Sequence, residues 1–176
     1  MIISVENLKK QVDCGDMTDE VIALKMGAIE EIIRKYTHNN FQNRRVRFSA
    51  RSFRDTLQNS SPFLEIGDTI QISQTTANNG IYTVLNKTDE NITVNAMLFE
   101  DVNLITKVEY PADVVECAVD LFKWKKEFGS KVGIKSESET LSRHSTSVTY
   151  EDSTQLYMGY PIGILQGLRH HRKVRC

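Results

Sequence analysis

The stretch that decides the fold is "DTIQISQTTANNGIYTVLNKTDENITVNAML", residues 68–98. It holds three short runs, "DTIQISQ", "GIYTVL" and "ENITVNAML", in which apolar and polar residues tend to alternate as in half-buried strands. In the first run, the alternation predicts that Ile70 and Ile72 face the core and that Gln71 faces solvent. Asn79-Gly80 favours a two-residue hairpin, because such a turn needs positive φ at both central positions. The pattern therefore predicts a small antiparallel sheet or barrel at residues 41–109.

Helical patterns lie on both sides of this region. Ser4 caps a short helix, "VENLKKQV", and Thr18 caps a longer one whose apolar residues recur at three and four positions as far as Tyr36. A third helix begins at Pro111 and runs through "ADVVECAVDLFKWKKEF". A short last helix begins at Pro161, so that helices occupy both ends of the chain.

These patterns predict an α+β protein. Its main part would be a bundle of about four α-helices, formed by residues 1–40 and 110–176, with a long Ser/Thr-rich loop at 129–154. A small antiparallel β subdomain would be inserted at 41–109. A chain of this length accommodates a core domain with a small inserted one.

Composition excludes several classes of protein. The 176 residues carry 22 Lys and Arg against 23 Asp and Glu, and a net charge of −1 creates no global attraction for nucleic acid or an anionic membrane. The three cysteines, Cys14, Cys117 and Cys176, are far apart and odd in number, which favours a reducing compartment over a disulfide framework. No run approaches the roughly 20 apolar residues of a membrane span, so no membrane partner is expected.

Candidate catalytic and metal-binding residues are few. His170 and His171 are adjacent, so on a helix they would point about 100° apart and could not bind one ion as an i, i+4 pair can. Cys117 falls on an apolar helix face, and His38 and His144 lie in distant segments. We therefore expect no enzyme, no metal and no cofactor.

Two basic clusters carry more weight. One contains five arginines at the entrance to the β region: Arg44, Arg45, Arg47, Arg51 and Arg54. The other crowds the C-terminus with Arg169, Arg172, Lys173 and Arg175. Either could contact phosphates. The alternatives are a solvated strand edge, or pairing with acidic residues of a neighbouring copy.

The order of segments resembles the head–tail connector proteins of tailed bacteriophages, also called adaptor or head-completion proteins. It consists of "ENLKKQVDCGDMTDEVIALKMGAIEEIIRKYT", the β insertion, "YPADVVECAVDLFKWKKEF", "VGIKSESETLSRHSTSVTYEDS" and "YPIGILQGLRHHRK". The resemblance implies a ring of commonly about twelve copies on the portal, in the virion neck, assembled in the host cytoplasm. Such a ring extends the channel for DNA, which passes without specific contacts, and docks the next neck or tail protein.

The resemblance also implies contact residues. The segment expected to contact neighbouring subunits contains Lys135, Ser136, Glu137, Ser138, Glu139, Val148 and Tyr150, and we expect it to order on assembly. The terminal helix would dock on the portal through Ile162, Ile164, Leu165, Leu168, Arg169 and Arg172. The simpler alternative is that its apolar residues only close the bundle.

A small nucleic-acid-binding protein is the rival function. It would use the arginines from Arg44 to Arg54 together with a β barrel, since barrels of this kind bind single strands through basic grooves and stacking aromatics. The available aromatic residues are Phe48, Phe53, Phe63, Tyr82 and Phe99.

Overall fold

The computed structural model describes residues 1–129, 136–141, 144–149 and 156–174. The chain divides into two compact units. One combines Met1–Asn7 with Asn39–Pro111, and the other combines Leu8–His38 with Ala112–Cys176.

Five antiparallel strands form a closed barrel in the first unit. They are β1 (Gln42–Gln58), β2 (Thr69–Ser73), β3 (Gly80–Lys87), β4 (Asn91–Leu98) and β5 (Val102–Val108). Around the barrel their order is β1-β4-β3-β2-β5, with β5 pairing back onto β1. Each of these five strands therefore has a neighbour on both sides, and closure removes the exposed strand edges of an open sheet.

The long strand β1 closes the barrel because its two parts pair with different strands. Its first part pairs with β5, from Gln42 opposite Val108 to Arg51 opposite Val102. Its second part pairs with β4, beginning at Arg54 opposite Leu98. The change of partner coincides with an irregular register after Arg54, which has a positive φ of 57°. A bulge of this kind bends a strand and lets it turn from one neighbour to the next.

Apolar side chains of all five strands fill the barrel. The buried cluster consists of Ala50, Leu57, Leu64, Ile70, Ile72, Val84, Ile92, Val94, Leu98 and Ile105. Ile70 and Ile72 are fully buried, as their alternation with Gln71 predicts. Burial of each large aliphatic side chain contributes about 1.5–3 kcal/mol, so this cluster is the main source of stability in the barrel.

The predicted fold class, a mainly helical bundle with a small inserted β subdomain, is wrong. The chain is mostly β, with a closed five-stranded barrel and four short helices in the described residues. Strand patterns are evident in the sequence only between residues 68 and 98. Strands β1 and β5 were not predicted, because small or polar residues occupy buried positions in both: Ala50 and Ser52 in β1, and Asn103 and Thr106 in β5.

The corner between β2 and β3 also differs from the predicted two-residue turn. Residues 74–79 form a longer connection, Ile72 pairs with Gly80, and the positive φ falls on Gln74 rather than on the Asn-Gly pair. Gly80 leaves room for the Tyr82 ring, because a Cβ there would lie 3.1 Å from the Tyr82 Oη. Asn79 closes the connection through two hydrogen bonds with the Thr75 backbone, so the Asn-Gly pair serves a longer turn than the one predicted.

Helices α1 (Val5–Gln11), α2 (Asp19–Thr37), α3 (Ala112–Phe128) and α4 (Ile162–Gln166) follow the predicted segments closely. The boundary between the two units falls within α1. A 3₁₀ segment, Gly167–His171, continues α4. Two antiparallel pairs, β6 (Ser136–Leu141) with β7 (His144–Thr149) and β8 (Leu156–Tyr157) with β9 (Tyr160–Pro161), complete the second unit. None of the helices in the described ranges has the length and hydropathy of a membrane span.

The second unit has its own apolar core on α2 and α3. Its fully buried side chains include Ile22, Met26, Ile29, Ile33, Leu121 and Phe122. His38 ends α2 in the left-handed conformation and its N–H donates to the Arg34 carbonyl. The Thr37 carbonyl accepts a 2.8 Å hydrogen bond from the Lys173 N–H, which ties the residues after the 3₁₀ segment to the end of α2.

Candidate functional site

The outer face of β1 collects part of the predicted arginine cluster. Exposed residues recur along β1 at intervals of two or four positions, so they share the outward face of the strand. They are Arg45, Arg47, Arg51 and Phe53. From Arg45 to Phe53 this face extends roughly 26 Å at about 3.3 Å per residue. Arg44 and Arg45 both lie within the irregular register between Asn43 and Arg47, where Arg45 keeps the exposed alternation across the half-buried Val46 and Arg44 departs from it.

Nearby groups partly satisfy these arginines. Arg51 forms a 2.8 Å ion pair with Glu100, in which both side chains are more than half exposed, and Arg47 Nε donates to Thr106 Oγ1 at 3.0 Å. The Arg54 guanidinium lies over the Phe53 ring, 5.5 Å from its centroid. An exposed ion pair such as Arg51–Glu100 contributes little to stability.

An exposed apolar surface lies at one end of this face, and we call it the outer patch. It comprises Phe53, Met97, Phe99 and Val102, which are 51%, 72%, 71% and 63% exposed. Val102 pairs directly with Arg51, and Phe53 and Phe99 come next to the paired residues Arg54 and Leu98. The four side chains expose on the order of 400 Å² together, as much as the largest apolar patch of a typical soluble monomer.

A buried hydrogen-bond network lies beneath the outer patch. Asn78 is 2% exposed, and its side chain holds both backbone groups of Phe99: Nδ2 donates to the Phe99 carbonyl at 2.8 Å, and Oδ1 accepts from the Phe99 N–H at 2.8 Å. Asn78 Nδ2 also donates to Asn103 Oδ1 at 3.0 Å, and Asn103 Nδ2 donates to Ser52 Oγ at 2.8 Å. The network therefore sets the position of Phe99 in the patch.

Sequence reasoning did not identify Asn78, Asn103 or Ser52 as structural residues. The available signal was their position, since Ser52 and Asn103 fall at inward places on strands that otherwise alternate with apolar residues. A polar residue at such a place requires hydrogen-bond partners inside the fold.

The residues expected to dock on a portal divide into two sets. Leu165 and Leu168 are buried, whereas Ile162 and Ile164 are half-buried and Arg169 is exposed. The Arg172 guanidinium lies over the Tyr36 ring, 5.3 Å from its centroid. The two leucines therefore contribute to the interior of the second unit, and a docking partner would reach only the remaining side chains.

The expected inter-subunit segment is described only in part. Ser136, Glu137, Ser138 and Glu139 lie on β6 and Val148 lies on β7, with Glu137 paired to Val148. Lys135 and Tyr150 lie outside the described residues. The stretch predicted as a loop therefore contains an antiparallel pair of strands in its described part.

Asp113, His170 and His171 form a polar cluster that the sequence analysis excluded. His170 Nε2 lies 3.0 Å and His171 Nε2 lies 2.7 Å from the same atom, Asp113 Oδ2. The hydrogen bond with His171 is the main cause of a lowered pKa of the Asp113 carboxyl group. The histidines were expected to point about 100° apart on a helix, whereas here, at the end of a 3₁₀ segment, both Nε2 atoms lie near one carboxylate oxygen.

Cys117 has the properties of a structural cysteine. Its side chain is buried, and burial raises the pKa of the thiol to about 12. At pH 7 the thiolate fraction would be roughly one in 10⁵, which is unfavourable for nucleophilic catalysis. Its Sγ contacts the Ile164 carbonyl oxygen at 3.7 Å.

Comparisons with known proteins add no identification. No protein-family model matches the sequence, and no curated protein matches it either. The resemblance to head–tail connector proteins therefore depends on the sequence pattern, and the assignment of a function depends on the surfaces described above.

Proposed function

We propose that the chain is a structural virion protein, a head–tail connector that assembles as a ring on the portal. In this role it completes the head, extends the DNA channel and docks the next neck or tail protein. The observation that supports the proposal is the outer patch, a group of four exposed apolar side chains on the outside of a barrel that already has a buried core of its own.

The closed barrel supports assembly through side chains. Since each barrel strand is paired on both sides, another copy cannot add by extending the sheet, and contact has to use the outward-facing residues. In a ring, one surface of each subunit meets a different surface of the next. The outer patch would supply the apolar centre of that contact.

Charge on the same face suits a contact with a different, acidic surface of the neighbouring copy. Arg45, Arg47 and Arg51 line the outward face of β1, while the chain as a whole carries 23 acidic residues. The arginines would meet acidic side chains of the neighbouring copy, at the polar rim around an apolar centre. Such pairs would set the register of neighbouring subunits and make assembly weaker at high salt.

Electron microscopy of the protein mixed with portal tests this function. The wild-type chain should add a ring to the portal, and the double variant Phe53→Ser/Phe99→Ser should remain folded but unassembled. Phe63→Ser is the matched control, because Phe63 is 68% exposed but lies outside the outer patch. Absence of a ring with the wild type would reject the function, and normal assembly of the double variant would reject the patch as the interface.

A nucleic-acid-binding function is the second candidate. The observation that favours it is that three arginines and Phe53 share the outward face of β1, with Phe99 beside them. Side chains in this arrangement can bind phosphates and stack on unpaired bases. By contrast, Phe48 and Tyr82 pack against the barrel core, and they are less accessible for stacking.

Fluorescence anisotropy of a labelled single-stranded oligonucleotide tests this alternative. Binding should weaken steeply between about 50 and 200 mM salt, and Arg45→Gln/Arg47→Gln should weaken it further and reduce the salt dependence. Lys35→Gln is the control, because Lys35 is an exposed basic residue of α2 that lies outside both basic clusters. Binding that is absent at low salt, or unchanged in the double variant, would reject the alternative.

A further inference from the structure

Three potential metal ligands converge in the second unit. The Nε2 atoms of His170 and His171 lie 3.0 and 2.7 Å from Asp113 Oδ2. All three ligand atoms lie within 4.8 Å of one another. The two imidazole rings are 4.0 Å apart between centroids and tilted by 44°, so that their reactive nitrogens approach the carboxylate from neighbouring directions.

The backbone holds these side chains near one another. Asp113 lies in the first turn of α3, and the histidines end the 3₁₀ segment. The buried side chain of Leu168 anchors that segment, and the hydrogen bond from the Lys173 N–H to the Thr37 carbonyl holds the residues that follow. The cluster is therefore supported from both sides of the histidine pair.

The distances agree with those around a bound metal ion. Bonds of about 2.1 Å from one ion place adjacent ligand atoms about 3.0 Å apart in octahedral geometry and about 3.4 Å apart in tetrahedral geometry. In octahedral geometry the observed separations of 3.0 and 2.7 Å would need to change by at most about 0.3 Å, whereas tetrahedral geometry would require changes of about 0.4 and 0.7 Å. Each imidazole would then present the Nε2 lone pair and keep its proton on Nδ1.

We propose that Asp113, His170 and His171 bind one divalent first-row transition-metal ion. Imidazole and carboxylate ligands suit Fe²⁺, Co²⁺, Ni²⁺ and Zn²⁺, whereas Ca²⁺ and Mg²⁺ prefer ligand sets made of oxygen. Three protein ligands leave at least one coordination position open. The proposal is independent of the proposed function, because it depends only on residues of the second unit.

A cavity beside Asp113 adjoins the coordination positions of the ion that the three protein ligands leave open. It has a volume of about 240 Å³, and its lining includes Asp113, Glu116, Asp120 and Gly167. Glu116 and Asp120 add two carboxylates to the same side of α3, one and two turns after Asp113. Water would complete the coordination of the ion from this side, either alone or hydrogen-bonded to one of these carboxylates.

Titration with Co²⁺ tests the site, because this ion reports its coordination by visible absorption. The full chain should bind one Co²⁺, and Asp113→Asn and His171→Gln should each weaken binding at least tenfold. His38→Asn is the matched control, since His38 is an exposed histidine in a left-handed conformation that asparagine accepts. Absence of binding up to about 1 mM Co²⁺ would show a hydrogen-bonded cluster only and would overturn the proposal.

Paramagnetic broadening of NMR signals provides a readout that needs no variant. Co²⁺ bound at this site should broaden the amide signals of the first turn of α3 and of residues 167–172 in the wild-type protein. Broadening centred on His38 or His144, or binding that the two ligand variants leave unchanged, would refute the assignment.

Discussion

Asn78→Ala should destabilise the barrel strongly. The variant removes the buried amide that bonds both backbone groups of Phe99 and also reaches Ser52 and Asn103. It leaves the partly buried Phe99 N–H without its side-chain acceptor. Buried polar groups that lose their partners are costly, because the unfolded chain recovers those hydrogen bonds from water.

The magnitude follows from the three hydrogen bonds that the Asn78 side chain can make at once, at 2.8, 2.8 and 3.0 Å, because its two N–H donors must share the longer 3.2 Å contact with Ser52 Oγ. Each contributes about 0.5–1.5 kcal/mol net, and an unsatisfied buried group costs about 1–3 kcal/mol. We expect a loss of about 3–5 kcal/mol in the free energy of unfolding. Asn79→Ala is the matched control, because Asn79 is exposed and its side chain bonds only the Thr75 backbone among the described residues, so the loss should stay below about 1 kcal/mol.

Urea unfolding should be followed by NMR signals of the barrel strands. The only tryptophan, Trp124, lies in the second unit, so its fluorescence would not report the unfolding of the barrel. The midpoint should fall in Asn78→Ala with an unchanged dependence on urea. If the two alanine variants differed by less than about 1 kcal/mol, the network beneath the outer patch would not be the source of stability that we infer.

Three further predictions concern other residues. Glu30→Ala should lower the free energy of unfolding by about 2–3 kcal/mol, because Glu30 is buried and its carboxylate lies 3.1 Å from the Arg34 guanidinium. Glu31→Ala should lower it by about 0.5 kcal/mol or less, because Glu31 is exposed. Tryptophan fluorescence in urea measures both losses. Gly80→Ala should displace the ring of Tyr82 by a few tenths of an ångström and change its NMR signals, and unchanged signals would contradict the close approach. Cys117 should resist iodoacetamide at pH 8 in the folded protein and react in urea, because a pKa of about 12 keeps the thiol protonated until the pH approaches that value; rapid labelling seen by mass spectrometry would refute this.

The sequence predicts the strands that obey simple alternation and misses the one that closes the barrel. Ile70, Ile72 and Ile92 mark inward positions clearly. In β1, however, the inward positions include Ala50 and Ser52, whose small side chains give no apolar period. A small or polar residue is accepted there because the Asn78 network fills the space, and that tertiary contact is not visible in a local pattern.

The candidate sites were difficult to predict for a related reason. Asp113 precedes His170 by 57 residues, so only the folded chain brings them together. The outer patch was hidden because apolar residues on the outward face, such as Met97 and Phe99, look like strand residues of the core. The arginine cluster is evident in the sequence. The bulge at Arg54, however, places its members at different kinds of strand position, and the local sequence does not show which arginine takes which position.

The position of β1 in the chain has a consequence for protein synthesis. Both of its partners, β4 and β5, are translated later, so roughly fifty residues must emerge after Gln58 before the barrel can close. At about 5–20 residues per second, a 17-residue strand would wait unpaired for several seconds beside the ribosome. Its five arginines would keep that nascent segment soluble and oppose pairing with other unfinished chains.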